Sequence, residues 1–190
     1  MQPVKLKALI KKRRSIFPNT YTGEQIPDDI ILQILEAANW APTHKKTEPW
    51  RFKILQNHGR EKLANFMADW YEEYTPRDKF SPKKHEKLKK KPLSAPTVIA
   101  ICLHRDPSES IPEWEEIAAV AMAVQNMWLM CTAYDIGCYW SSPKPVLAAK
   151  EILHLEKGEK CLGLFYMGYH TMPEVAGQRT PIADKIEFIR

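Results

Sequence analysis

The sequence predicts a small sheet wrapped by helices, an α+β or α/β arrangement, and three observations carry that expectation. Segments with helical and with strand spacing alternate along the chain instead of segregating into halves. Residues 98–103, VIAICL, form a near-continuous apolar run, the pattern of a strand covered on both faces. Residues 112–137, PEWEEIAAVAMAVQNMWLMCTAYDIG, are apolar around most of a helical circumference, which implies burial in a core or between subunits.

Residues 4–14 read as a short amphipathic helix with Leu6, Leu9 and Ile10 on one face, and Pro18 ends any continuation. Pro27, Asp28 and Asp29 suit the first turn of a second helix, where carboxylates meet the positive end of the helix dipole. Ile30, Ile31, Ile34, Leu35 and Ala38 keep helical spacing up to Trp40, and Pro42 stops it. WRFKILQ (50–56) then alternates as a strand, and NHGREKLANFMADWYEEY follows as a helix. Beyond the central strand and the long helix come CYWSS as a short strand, KPVLAAKEILHL as a helix and CLGLFYMGYH as a strand. The tail IADKIEFIR alternates Ile186, Phe188 and Arg190; such a strand-like terminus must pack somewhere, and a partner subunit's sheet edge is the expected place.

A chain of 190 residues fits one domain, and 44% hydrophobic with 27% charged content is that of a globular protein. Lysines interrupt the N-terminal apolar positions, so no signal peptide is expected. No stretch approaches the roughly 18 apolar residues that span a bilayer. A cytoplasmic location is therefore expected, and no membrane partner. Cys102, Cys131, Cys138 and Cys161 lie in apolar contexts without a CxxC pair and read as buried reduced thiols.

The net charge of +5 is concentrated in residues 77–91, RDKFSPKKHEKLKKK, where eight Lys/Arg face two carboxylates. Such a stripe reads as a solvated, mobile segment, as a lid with a steering role, or as a nucleic-acid site. Its single aromatic, Phe80, and its lack of a recognised motif argue against nucleic acid.

Several chemistries are absent. There is no GxGxxG or GxxxxGK[ST], and seven glycines leave no place for a phosphate-cradling loop of either type. HExxH and GxSxG are missing too, and the six histidines are scattered, so no metal site is expected. If the chain is an enzyme, a bound cofactor carries the chemistry and the protein supplies position and electrostatics.

Four polar clusters remain. Arg13, Arg14 and Ser15 stand at a helix end, where two guanidiniums and a hydroxyl suit phosphate oxygens or simply complement the helix dipole. APTHKKTEPW (41–50) is a polar loop between a helix and a strand, carrying His44, Lys45, Lys46, Thr47 and Glu48. Trp140, Ser141 and Ser142 close a short strand, with Trp140 readable equally as core. Arg179 is an isolated cation in GQRTPI.

Taken together, RRS, WAPTHKKTEPWRF, EEIAAVAMAVQNMWLMCTAYDIGCYW, LGLFYMGYH and RTPIADKIEF resemble, in order and spacing, the nitroreductase family of FMN-dependent oxidoreductases, in its small single-domain branch. The resemblance runs nearly end to end. It implies an α+β fold with a small mixed sheet wrapped by helices, one FMN-binding domain over residues 1–190, and an intertwined homodimer with FMN at the interface. Arg13, Arg14, Ser15 and Arg179 match the family's phosphate and ribityl contacts, and Trp140, Ser141 and Ser142 match the segment running past the cofactor. Trp40 and His44 fall where the second subunit approaches the flavin.

Three positions, in two places, depart from the family pattern. Phe17 stands where an arginine is common, and Lys46-Thr47-Glu48-Pro49-Trp50 replaces Asn-x-Gln-Pro-Trp. The implied activity is ping-pong hydride transfer from NADH or NADPH, through FMN, to an electron-poor acceptor such as a nitroaromatic or quinone. No side chain is required as a nucleophile. The alternatives are another flavin reaction on the same scaffold (dehalogenation, flavin breakdown or heterocycle oxidation), or an anion- or nucleic-acid-binding module using residues 77–91.

Overall fold

The computed structural model describes residues 2–190. Helices α1 (Pro3–Lys12) and α2 (Asp28–Asn39) precede strand β1 (Trp50–Leu55). Helices α3 (His58–Tyr74) and α4 (Pro82–Leu93) lead to β2 (Thr97–His104), and α5 (Glu113–Ala133) leads to β3 (Ile136–Ser141). A short α6 (Lys144–Leu147) and strand β4 (Glu159–Tyr169) complete the sheet, whose order is β1-β2-β4-β3.

Alternation along the central strands sorts the core into two layers. Ile99, Ile101 and Leu103 of β2 and Phe165 and Met167 of β4 point to the side covered by α2 and α5. Val98, Ala100, Cys102, Leu164 and Tyr166 point to the side covered by α3 and the α6 region. β2 is buried from Thr97 to Leu103, as its unbroken apolar run predicts. The expected mixed sheet is not found: among the described residues every strand pairing is antiparallel.

Two further expectations change, and one gains detail. Most of residues 77–91, read as a solvated, mobile segment, form α4, whose lysines are largely exposed. The Ser81 hydroxyl caps its N-terminus by accepting from the Lys84 N–H, and Pro82 sits in the first turn, where its missing N–H costs nothing. The helix KPVLAAKEILHL shrinks to a single turn, α6, followed by successive turns. Lastly, α5 is long and apolar enough to cross a membrane by length and composition alone, contrary to the expectation. It is placed here as a core helix: Val120, Ala123, Val124 and Met127 pack in the layer shared with α2, and the buried Glu116 is ion-paired with Arg105.

Helix α1 buries no residue, and residues 171–190 are exposed throughout. The chain therefore leaves most of an amphipathic helix and of an apolar tail uncovered.

Candidate functional site

Where α1 ends, the backbone turns extended at Arg13, and the Ile16 N–H donates to the Cys138 carbonyl, laying residues 14–17 along the edge of β3. The Arg13 guanidinium sits over the Trp128 ring, 4.8 Å from its centroid, while Trp128 Nε1 donates to the Arg14 carbonyl at 3.0 Å. Arg14 reaches the tail: its Nε donates to the Val175 carbonyl at 3.0 Å, and its Nη1 to the carbonyls of Lys11 and Arg13, each at 2.7 Å. A Cβ on Gly177 would overlap the Arg14 guanidinium, so any side chain there would make Arg14 or the tail shift.

Three cations converge here. Burial, followed by the charges of Arg179 and Arg14, holds the Arg13 guanidinium below its ordinary pKa. Among the described residues no carboxylate pairs with Arg13, Arg14 or Arg179. Beside Arg14 opens a cavity of about 340 Å³, bordered also by Ser15, Ile16, His170 and Val175 and by two carboxylates, Asp135 and Glu174. Three guanidiniums without an ion-pair partner, one of them at a cavity beside a serine hydroxyl, suit a phosphate-sized anion.

The neighbouring stretch of β3 continues the site. Tyr139 stacks at a tilt on Phe17, with ring centroids 4.7 Å apart. Trp140 turns to the α5 side of the sheet, where its Nε1 is buried without a hydrogen-bond partner, close against Gly163. The Ser141 hydroxyl lies 3.3 Å from Lys91 Nζ, and Ser142 is exposed just beyond the strand. Lys91, from α4, also lies 2.5 Å from the Tyr139 hydroxyl and over the rings of Tyr139 and Tyr166. It is the residue that sequence reasoning missed. Its only signal was a place in a run of lysines, and the departure at Phe17 leaves it as the cation beside this segment.

Trp40 and His44 are not brought to this cluster within one chain. Trp40 is 79% exposed, its Nε1 donating to Glu36, and His44 Nδ1 lies 2.6 Å from Glu115 Oε2. Glu115 and Trp128 belong to opposite halves of α5, about 20 Å apart along its axis. The His44 loop is backbone-strained: Lys45, Lys46 and Glu48 all take positive φ, at 50°, 56° and 42°. Against the expected absence of a metal site, His104, Glu156 and Glu159 place donor atoms within 4.8 Å of one another, but Lys53 occupies Glu159 at 3.1 Å.

Comparison with known proteins decides the relationship. The profile of the nitroreductase family matches residues 10–169. The chain belongs to that family. It is 29% identical over 184 residues to a Bacillus subtilis protein provisionally named NAD(P)H nitroreductase YfhC, covering 95% of this chain and 92% of that one. A crystal structure of a nitroreductase-like family protein from Bacillus cereus superposes with a TM-score of 0.83 at 29% identity, covering 100% and 98% of the two chains. The FMN-dependent nitroreductase NfnB from Mycobacterium smegmatis, solved with NADPH, superposes with a TM-score of 0.76 at 17% identity, covering 97% and 98%. As a nitroreductase-family protein, the chain is an oxidoreductase, and RRS, the 41–50 loop and the β3 terminus all lie inside the matched range.

Proposed function

We propose that this nitroreductase-family protein is an FMN-dependent reductase that draws hydride from NADH or NADPH and delivers it to an electron-poor acceptor of nitroaromatic or quinone type. The carrying observation is the group of Arg13, Arg14 and Arg179, which has no ion-pair partner among the described residues and of which Arg14 lines a cavity. Those guanidiniums and Ser15 would hold the phosphate, with bidentate arginine donors matching its oxygens. When bound, FMN would supply the hydride chemistry of a ping-pong reduction.

The chain's own residues position and stabilise. Trp140, Ser141 and Ser142 would flank the cofactor, and the Phe17 ring, tilted against Tyr139, would form one wall of its site. Lys91, held by Tyr139 and Ser141, would offer an ammonium group to negative charge developing on the reduced cofactor, with little reorganisation needed.

The reading includes a homodimer in which Trp40 and His44 serve the partner's cofactor. It is supported by their separation from the arginine cluster, by the unburied α1, and by the apolar tail with Phe188 76% and Ile189 93% exposed. The outer edge of β1, with no strand neighbour on that side among the described residues, is the natural seat for a partner's tail. Four buried free thiols suit the reducing cytoplasm.

An absorbance scan of the purified protein, followed by anaerobic titration with each nicotinamide, tests the reading. Flavin absorbance bleached by a nicotinamide and restored by a quinone is the expected result. A colourless protein that gains no thermal stability from added FMN refutes it.

A further inference from the structure

The geometry points to a second anion site: the cleft between α4 and residues 17–23 binds the phosphates of a nicotinamide dinucleotide and favours the form that carries a 2′-phosphate. The cleft, about 950 Å³, begins at Phe17, Tyr139 and Lys91 and extends along α4. Lys83, Lys87 and Lys90 line it at intervals of four and three residues, so they share one helical face. The opposite wall mixes polar Asn19 and Thr22 with Phe17, Pro18 and Tyr21, and Glu86 is the one carboxylate on the lining.

A solvated lysine face is the ordinary explanation of such a run, and three features argue against it. First, α4 is anchored on its other side: Lys84 lies over the Tyr71 ring at 4.7 Å, His85 faces Glu72 at 3.5 Å, and Pro92 is buried. The lysine face is therefore aimed by an ordered helix. Second, the ammonium groups meet a concave surface, which focuses their field, and among the described residues none of Lys83, Lys87 or Lys90 has a carboxylate ion-pair partner. Third, Lys83 to Lys91 spans about 12 Å along the helix, which suits an elongated ligand with spaced phosphates better than a compact anion.

The inference rests on the reductase reading only for the placing of the reacting ring at the Lys91 end. Its occupant is a phosphate-bearing donor, and a phosphate-bearing acceptor is distinguished by the test.

The test compares the FMN-loaded protein with a K83Q/K87Q/K90Q triple variant, leaving Lys91 intact. Calorimetry measures binding of adenosine 2′,5′-bisphosphate and of adenosine 5′-phosphate, and stopped-flow measures flavin reduction by NADPH and NADH. Thermal unfolding of both proteins establishes that the variant is folded. The wild type is expected to prefer the bisphosphate, and the variant to lose on the order of tenfold for the bisphosphate and for NADPH, with NADH changed much less.

A wild type without preference, a variant that keeps it, or equal losses for both adenosine ligands overturns the assignment. So does a loss confined to a phosphorylated quinone acceptor, because the site would then serve the acceptor. FMN content is the separate control: a protein without flavin sinks the reductase reading, while bisphosphate binding still reports on the cleft.

Discussion

Lys91 Nζ lies 2.5 Å from the Tyr139 hydroxyl and 4.4 Å from the centre of the same ring, joining helix α4 to the edge strand that borders the proposed flavin site. The ammonium group is half-buried and has no carboxylate ion-pair partner among the described residues, so its charge is available to a ligand. Replacing it with methionine keeps much of the stem's packing and removes the charge. Lys91→Met is expected to weaken FMN binding by about 10- to 100-fold, the range of one charge-assisted hydrogen bond. It is also expected to lower the flavin midpoint potential, with Lys91→Arg restoring most of it. Anaerobic potentiometry reads this directly, and an unchanged potential would remove Lys91 from the site.

Gly177 gives a test that does not touch a charged group. A side chain there overlaps the Arg14 guanidinium, which is fixed by the Val175, Lys11 and Arg13 carbonyls. Gly177→Val is expected to displace the tail or Arg14 and reduce FMN retention roughly tenfold. Because residues 171–190 are exposed, the melting temperature of the cofactor-free protein should hardly move. A fall in that melting temperature with retained FMN would assign Gly177 to folding.

Acid sensitivity follows from the carboxylates that tie strand ends together. The Glu159 side chain is 3% exposed, and burial alone would raise its pKa. The Glu156 backbone N–H at 3.1 Å and the Lys53 ammonium at 3.1 Å outweigh burial and hold it below its ordinary value. Glu113, bonded to Lys160, and Asp106, bonded to the hydroxyls of Ser110 and Ser108, shift the same way. A depressed pKa contributes stability above the unfolded value, about 4.3 for Glu, and that stability is lost as pH falls through the folded value. The melting temperature should therefore be flat near neutrality and fall below about pH 4.5. Glu159→Gln should lower it at pH 7 and make the acid fall shallower; parallel curves for the two proteins would contradict the assignment.

How much of this was legible in the sequence depended on whether a residue's partner was local. β2 announced itself through an apolar run, and α2 through its spacing and its Pro-Asp-Asp start, because those signals lie within one element. Arg179 could be tied to Arg13, 166 residues away, only through the family resemblance, since no local pattern brings a tail back over an N-terminal helix end. Lys91 was illegible for a different reason. In a run of lysines, the helical phase selects which ammonium group turns toward Tyr139, and that phase is set by the Ser81 cap and the packing of Pro92. The overlong α6 followed from apolar spacing that turns beyond Leu147 also satisfy, with Leu153 buried from a turn and not from a helix.

The proposed dimer makes the last prediction. His44, bonded to Glu115 near the start of α5, lies far along that helix from Trp128 and the arginines, so in the proposed dimer it and Trp40 serve the partner's flavin. That dimer would cover the exposed apolar side chains of the tail. Phe188→Asp places a carboxylate where an apolar ring must be buried, at a cost of several kcal/mol in the assembled state and almost nothing in a monomer where that ring is 76% exposed. Light scattering coupled to flavin absorbance should show the variant shifting toward monomer, with FMN lost in proportion. An FMN-loaded monomer would separate the two claims: the arginine cluster would then hold the cofactor unaided, and Trp40 and His44 would have no part in the site.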